Sequence, residues 1–104
     1  MAIPEPFDAR VVQATPVPVV EIVGELDLSV SDQAWDVIKS VISSDSAGLV
    51  LDMSAVTFVD SRGLSVLARA LHSMNGASLT VRGAPERLRH LFEVSGLINL
   101  ITLE

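Results

Sequence analysis

The hydrophobic residues of this chain repeat with two different periods, and the two periods alternate along the sequence. A period of two residues predicts a strand with one buried face, whereas a period of three to four predicts a helix. Residues 8–13 alternate weakly and residues 19–24 alternate clearly, with two prolines between them that exclude a central strand. We therefore expect these two segments to form an antiparallel hairpin.

Helical and strand patterns then follow each other to the end of the chain. The first helical pattern begins near Ser29 or Ser31, and either serine is a suitable N-cap. Two further helices are predicted over residues 60–76 and 85–96, the second opened by a proline and closed by a glycine. Apolar segments predict the remaining strands at 49–53, 79–82 and 100–103. The first of these is nearly continuous, which is typical of a strand covered on both faces.

The order β-β-α-β-α-β-α-β indicates right-handed crossovers between parallel strands. We predict a single-domain α/β fold: a mixed, mainly parallel sheet with an N-terminal antiparallel hairpin and about three to four helices. Residues 1–6 are expected to be an extended leader and residues 7–104 the domain. We expect a core that includes Val20, Ile22, Ile38, Val41, Leu49, Leu51, Leu67, Leu71, Val81 and Leu91.

Composition narrows the classes of function. The absence of cysteine excludes disulfides and thiol chemistry, and two histidines are too few for a histidine-based zinc site. One Trp, three Phe and a net charge of -6 argue against nucleic acid as a partner. The sequence shows no signal-peptide pattern and no apolar stretch long enough to span a bilayer. We expect a cytoplasmic protein that does not insert into a membrane and needs neither a metal nor another cofactor.

Charge is distributed unevenly about position 60. Residues 1–60 carry ten acidic and two basic side chains, whereas residues 61–104 carry three acidic and five basic ones. This asymmetry fits an ordinary solvated surface, and it also fits a docking face with one sign of charge on each side of the turn at position 60.

The principal candidate site is the segment Asp-Ser-Arg-Gly-Leu at residues 60–64. In one interpretation, Asp60 or Ser61 is an ordinary helix cap, and Gly63 only permits tight packing. In the other, the Ser61 hydroxyl is exposed and is phosphorylated. A phosphate at the first turn of a helix faces the positive end of the helix dipole, so the modification should not melt the helix.

A second candidate is Asp27, which ends the segment Gly-Glu-Leu-Asp at residues 24–27. The carboxyl ends of parallel strands meet at one edge of a sheet, so Asp27 and Asp60 should converge there. Two such carboxylates fit a general acid–base pair, half of a magnesium site, or two helix-entry caps.

These segments together resemble the STAS domains of bacterial anti-sigma factor antagonists. The resemblance lies in Gly-Glu-Leu-Asp at 24–27, Leu-Asp-Met at 51–53 and Val-Asp-Ser-Arg-Gly-Leu at 59–64, and it continues in Leu-Phe-Glu-Val-Ser-Gly-Leu at 91–97. It extends from about Phe7 to Leu103. The Asp-Ser-x-Gly-Leu element in register with the upstream Gly-Glu-Leu-Asp is its specific part.

The resemblance implies a partner switch. An unmodified domain of this family binds an anti-sigma factor that is also a serine kinase, and so frees a sigma factor. The kinase then phosphorylates the serine after the aspartate, which is Ser61 here, and a metal-dependent serine phosphatase restores binding. The family also implicates Asp27 in contact with the kinase. Many relatives carry a small hydroxyl residue where this chain has Arg62. An arginine at this position can pair with the phosphate and weaken the switch, or it can select a partner with an acidic patch.

Helical phase extends the expected docking surface. If Leu64, Leu67 and Leu71 face inward, the neighbouring side of the helix should lie at or near the solvent-exposed surface. The residues on that side are Ser65, Val66, Arg69 and Ala70. Val66 and Ala70 would then be apolar residues on the exposed side, and such a cluster is typical of an interface. The expected partner-binding residues are Asp27, Asp60, Arg62, Gly63, Ser65, Val66, Arg69 and Ala70.

The sequence is also compatible with two other classes of function. A hydrolase with Ser61 as nucleophile lacks a Gly-x-Ser-x-Gly elbow, and His72 lies about 16 Å along the helix from Ser61. His90, the other candidate base, is interpreted as a solvated surface residue. We therefore expect no catalytic activity. A non-switching STAS interaction subunit, either of a lipid-transport ATPase or of a stress-signalling scaffold, is the stronger alternative. The sequence leaves homodimer formation open.

Overall fold

The computed structural model describes residues 6–42, 47–74 and 76–104. These residues form one mixed α/β fold in the predicted order of elements. The strands are β1 (Asp8–Gln13), β2 (Val19–Leu26), β3 (Gly48–Val59), β4 (Ser78–Arg82) and β5 (Thr102–Leu103). The α-helices are α1 (Ser31–Val41), α2 (Ser61–Ser73) and α3 (Glu86–Ser95), and a 3₁₀ turn (Leu97–Asn99) precedes β5.

The strands form one sheet in the sequential order β1-β2-β3-β4-β5. The β1–β2 pair is antiparallel and the other three pairs are parallel, as the sequence predicts. Helices α1 and α2 contact each other, so the first two crossovers lie on the same face of the sheet.

Burial alternates along the central strands because the helices cover one face of the sheet. Leu49, Leu51 and Met53 are buried, whereas Val50 and Asp52 between them are only half-buried. The prediction that this strand is covered on both faces is therefore wrong. Of the ten expected core residues, all but Val41, Leu71 and Leu91 are buried, and those three are half-buried.

The buried face of α2 differs from the one expected. Its buried residues are Gly63, Val66, Leu67 and Ala70. The expected exposure of Val66 and Ala70 is wrong, since Val66 is 4% exposed and Ala70 fully buried. The physical reason is that α2 packs against α1 as well as against the sheet, which moves its buried arc toward α1. Leu64 lies on the side of α2 away from α1 and is only half-buried.

Several boundaries also differ from prediction. Strand β3 continues to Val59, six residues beyond the predicted end. Neither Ser29 nor Ser31 caps α1: the cap position is Val30, which offers no side-chain hydrogen bond. The last strand contains only Thr102–Leu103. Residues 1–5 of the expected leader lie outside the described residues. Within the described ranges, no helix is long and apolar enough to cross a membrane.

Replacing Leu67 with alanine tests the phase of α2. Leu67 is fully buried at the centre of the helix. Leu67→Ala should lower the free energy of unfolding by about 2–5 kcal/mol, because it removes apolar contacts and leaves a cavity. Urea unfolding measures the loss. Leu71→Ala is the matched control, and its loss should be smaller because Leu71 is half-buried. Equal losses would contradict the phase described above.

Candidate functional site

Asp60 closes the amino-terminal end of α2. Its Oδ1 atom accepts hydrogen bonds from the backbone N–H groups of Arg62 and Gly63, both at 2.9 Å. These donors belong to the first turn, where the helix itself offers no acceptor. The prediction that Asp60 is a helix cap is thus confirmed, and Ser61 is the first helical residue rather than the cap.

The same carboxylate also joins two loops. Its Oδ2 atom accepts from the backbone N–H of Leu28 at 3.2 Å, and the Asp60 N–H donates to the Leu26 carbonyl at 3.3 Å. Leu28 belongs to the loop between β2 and α1. The predicted convergence of the carboxyl ends of β2 and β3 is therefore confirmed, and Asp60 is the residue that links them.

These hydrogen bonds favour the ionised form of Asp60. The Gly63 N–H has the largest effect in lowering the pKa of the carboxyl below its ordinary range. Desolvation is the second-largest effect and raises the pKa, whereas the N–H groups of Leu28 and Arg62 and the positive charge of Arg62 lower it further. Asp60 therefore carries a fixed negative charge directly before Ser61 at neutral pH.

Gly63 allows α2 to approach the end of the sheet closely. A Cβ atom at this position would overlap the Leu26 carbonyl oxygen and lie 2.8 Å from Val59 Cγ1. Contacts under about 3 Å leave no room for a side chain, so only glycine fits without a shift of the backbone. Gly63 is buried, and its observed role is to permit this packing.

Asp27 makes a local turn instead of a helix cap. Its Oδ1 atom accepts from the backbone N–H of Ser29 at 3.0 Å and from the Ser29 hydroxyl at 2.6 Å. This is the Asx-turn geometry that aspartate favours in loops. Of the two proposed helix-entry caps, only Asp60 is therefore a cap. The described residues include no cluster of three or more histidines and carboxylates arranged to hold a metal ion.

The outer face of α2 is polar and basic. We use the term α2 face for Ser61, Arg62, Ser65 and Arg69, all of which are exposed. The Ser65 hydroxyl donates to the Ser61 carbonyl at 2.9 Å. The Arg69 guanidinium lies 4.5 Å above the ring centre of Trp35 in α1, a cation–π contact that holds the arginine beside the groove between the helices. The residues of α2 include no Asp or Glu.

Comparison with known proteins identifies the class to which this fold and site belong. A family model described as "Mlab, STAS domain" matches residues 9–102. The chain belongs to the STAS domain family, as the resemblance of its motifs predicts.

Individual relatives carry a more specific name. The anti-sigma-B factor antagonist of Listeria monocytogenes is 27% identical over 85 residues, which are 80% of this chain and 75% of the relative. The anti-sigma-F factor antagonist RsfB of Mycobacterium tuberculosis is 35% identical over 68 residues, 65% of this chain and 56% of the relative. The crystal structure of an anti-sigma factor antagonist from Mycobacterium paratuberculosis matches with a TM-score of 0.85 at 26% identity, covering 99% of this chain and 89% of that one.

Replacing Gly63 with alanine tests the close approach of α2 to the sheet. In an unconstrained helix this change is stabilising by about 1 kcal/mol. Here the added methyl group overlaps the Leu26 carbonyl, so Gly63→Ala should instead lower the free energy of unfolding by about 1–3 kcal/mol. Chemical unfolding measures whether the substitution raises or lowers the free energy of unfolding. Ser65→Ala, on the exposed face of the same helix, is the matched control and should change stability little. A stabilised Gly63→Ala variant would contradict the packing.

The ionisation of Asp60 predicts a specific dependence of stability on pH. Because its pKa is lower in the folded than in the unfolded chain, its stabilising effect is complete above about pH 4 and is lost as the pH falls through the folded pKa. Asp60→Asn keeps an acceptor for the helix N–H groups and removes this titration. The stability difference between parent and variant should therefore be largest at neutral pH and shrink below about pH 4. A difference that stays constant from neutral to acid pH would refute this account.

Proposed function

We propose that this chain is a cytoplasmic anti-sigma factor antagonist that works as a phosphorylation-controlled partner switch. Its unphosphorylated form binds an anti-sigma factor with serine kinase activity and so releases a sigma factor. Phosphorylation of Ser61 separates the complex, and a metal-dependent serine phosphatase restores it. The proposal is supported by relatives that are named anti-sigma factor antagonists and by the geometry of the first turn of α2.

The observation that carries the proposal is the exposure of Ser61 on a helix end that Asp60 has already capped. The first-turn N–H groups of Arg62 and Gly63 are satisfied by Asp60, so the helix does not need the Ser61 hydroxyl for its stability. A phosphate at Ser61 adds about -1.5 to -2 charges without removing any of these hydrogen bonds. The change is therefore felt by a docked partner and not by the fold.

We propose the α2 face as the docking surface, with Asp27 and Asp60 contributing from the adjacent loops. Val66 and Ala70 are excluded from it because they are buried, and Gly63 contributes only by its packing. Since Arg62 and Arg69 supply the charge of the α2 face, the part of the partner that contacts these two arginines should be acidic. Phosphate at Ser61 repels that acidic surface and competes for Arg62, so both effects weaken the complex.

Binding by variants of Ser61 tests the switch. The experiment incubates the protein with ATP and an anti-sigma factor kinase of the same organism, locates phosphate by tandem mass spectrometry, and measures binding by calorimetry. Phosphate should lie on Ser61. Ser61→Ala should bind like the parent, and Ser61→Asp should bind at least about tenfold more weakly, which corresponds to about 1.4 kcal/mol. Phosphate on Ser54, Thr57 or Ser65 with none on Ser61 would overturn the assignment.

Charge reversal on the same proteins locates the docking surface. Arg69→Glu should weaken the complex, whereas Arg89→Glu on α3 changes the net charge equally and should leave it intact. Both arginines are exposed, so circular dichroism should show an unchanged fold for both variants. Equal losses of affinity would indicate a general charge effect, and a loss with Arg89→Glu alone would move the interface to α3.

A non-switching interaction subunit is the second candidate. It is favoured by the family model, whose description names Mlab and no anti-sigma factor, and by Arg62, which can neutralise a phosphate at Ser61. In this case the anti-sigma factor kinase either does not bind the parent protein or binds the parent and Ser61→Asp with equal affinity. The binding measurement on Ser61→Asp thus separates the two candidates.

A further inference from the structure

Strand β3 extends well beyond its neighbour β4. The β3–β4 pairing ends at Asp52 and Arg82, whereas β2 continues to pair with β3 as far as Val59. Within the described part of the chain, the last residues of β3 therefore have a strand partner on the β2 side only. The Thr57 carbonyl on the open side accepts instead from the Arg87 guanidinium at 3.2 Å. A side chain here occupies a position that a neighbouring strand fills elsewhere in the sheet.

A cavity of about 230 Å³ separates this open edge from α3. Its lining is apolar apart from Thr57 and Arg87, and Phe58 at its rim is 50% exposed. The volume is below the roughly 300–1,000 Å³ that is typical of small-molecule sites. It suits an inserted side chain better than a metabolite. The lining residues are Val56, Thr57, Phe58, Val59, Pro85, Arg87, Leu88 and Leu91.

The open edge of β3 is short and is enclosed at one end and on its outer side. A single extended peptide is therefore a better occupant than the edge of a second folded sheet. At its near end Gly83 lies so close to Ser54 that a Cβ on Gly83 would be 2.7 Å from the Ser54 Cβ. On its outer side lies α3. A single extended segment can enter between these limits. An edge strand of another sheet would bring its own layer of helices or side chains against α3.

We propose that this groove binds an extended peptide segment of a partner protein as an added strand along β3. The peptide backbone pairs with the open edge, and one of its N–H groups replaces the Arg87 side chain at the Thr57 carbonyl. One apolar side chain enters the cavity. The released Arg87 pairs with a carboxylate of the peptide, because Arg87 is the charged group among the lining residues. This inference does not depend on phosphorylation of Ser61 or on the α2 face.

Selection from a randomised peptide library displayed on phage tests the groove. The library is selected on the whole protein and counter-selected on Phe58→Glu, which changes an exposed rim residue. The enriched sequences should alternate apolar and polar positions and carry an acidic residue near the apolar anchor. Failure to enrich any sequence against Phe58→Glu, or enrichment of sequences without an acidic residue, would overturn the proposal.

The enriched peptide is then synthesised for binding measurements. N-methylation of alternate backbone amides should weaken it by about tenfold, because each lost hydrogen bond costs about 0.5–1.5 kcal/mol. Arg87→Glu should weaken the acidic peptide and favour a version with lysine in place of the acid, whereas Arg89→Glu should not. Amide NMR shifts should centre on residues 55–59. Binding that tolerates N-methylation, shifts that centre on the α2 face, or a dimer of the free protein held together by Phe58 would each refute strand addition.

Discussion

The site depends on one ionised carboxylate that is shared between two segments of the chain. Asp60 accepts from Arg62 and Gly63 at the start of α2 with one oxygen and from Leu28 with the other. Charge-assisted hydrogen bonds are stronger than neutral ones, and these three satisfy donors for which the helix and the loop provide no other acceptor. The end of β2, the end of β3 and the first turn of α2 are therefore held in one fixed arrangement.

Gly63 makes that arrangement possible. The helix approaches the Leu26 carbonyl too closely for any side chain at position 63, and this approach brings the Asp60 carboxylate within reach of the β2–α1 loop. Asp60 provides the hydrogen bonds that join the two segments, and Gly63 leaves room for the helix to approach the sheet. Ser61 lies between them in sequence but takes no part in either interaction, and it is exposed in the first turn of the helix. The proposed phosphate at Ser61 would therefore be added without breaking either interaction.

The parts of this site that are local in sequence are predictable from sequence. Asp60, Ser61 and Gly63 form a helix start with a recognisable cap, and the order of strands and helices follows from hydrophobic period. The bond from Leu28 to Asp60 spans 32 residues, and no local pattern indicates it beyond the general convergence of parallel strands. Sequence also assigned the wrong flank of α2 to solvent, because leucine spacing shows which side faces the sheet but not which side faces α1. The position of Val66 beside Trp35 is a property of the packed pair of helices.

The length of β3 was missed for a related reason. Ser54 and Thr57 interrupt its hydrophobic pattern, and a strand whose far end is bordered by solvent and by α3 does not need a continuous apolar sequence. That far end nevertheless leads directly into Asp60, so the same strand positions the α2 face and exposes the edge beside Arg87. A long β3 beside a short β4 thus gives this sheet two neighbouring surfaces of different chemistry. One is a basic helix face, the proposed docking surface for an acidic partner, and the other is an open backbone edge with an apolar cavity, the proposed site for an extended peptide.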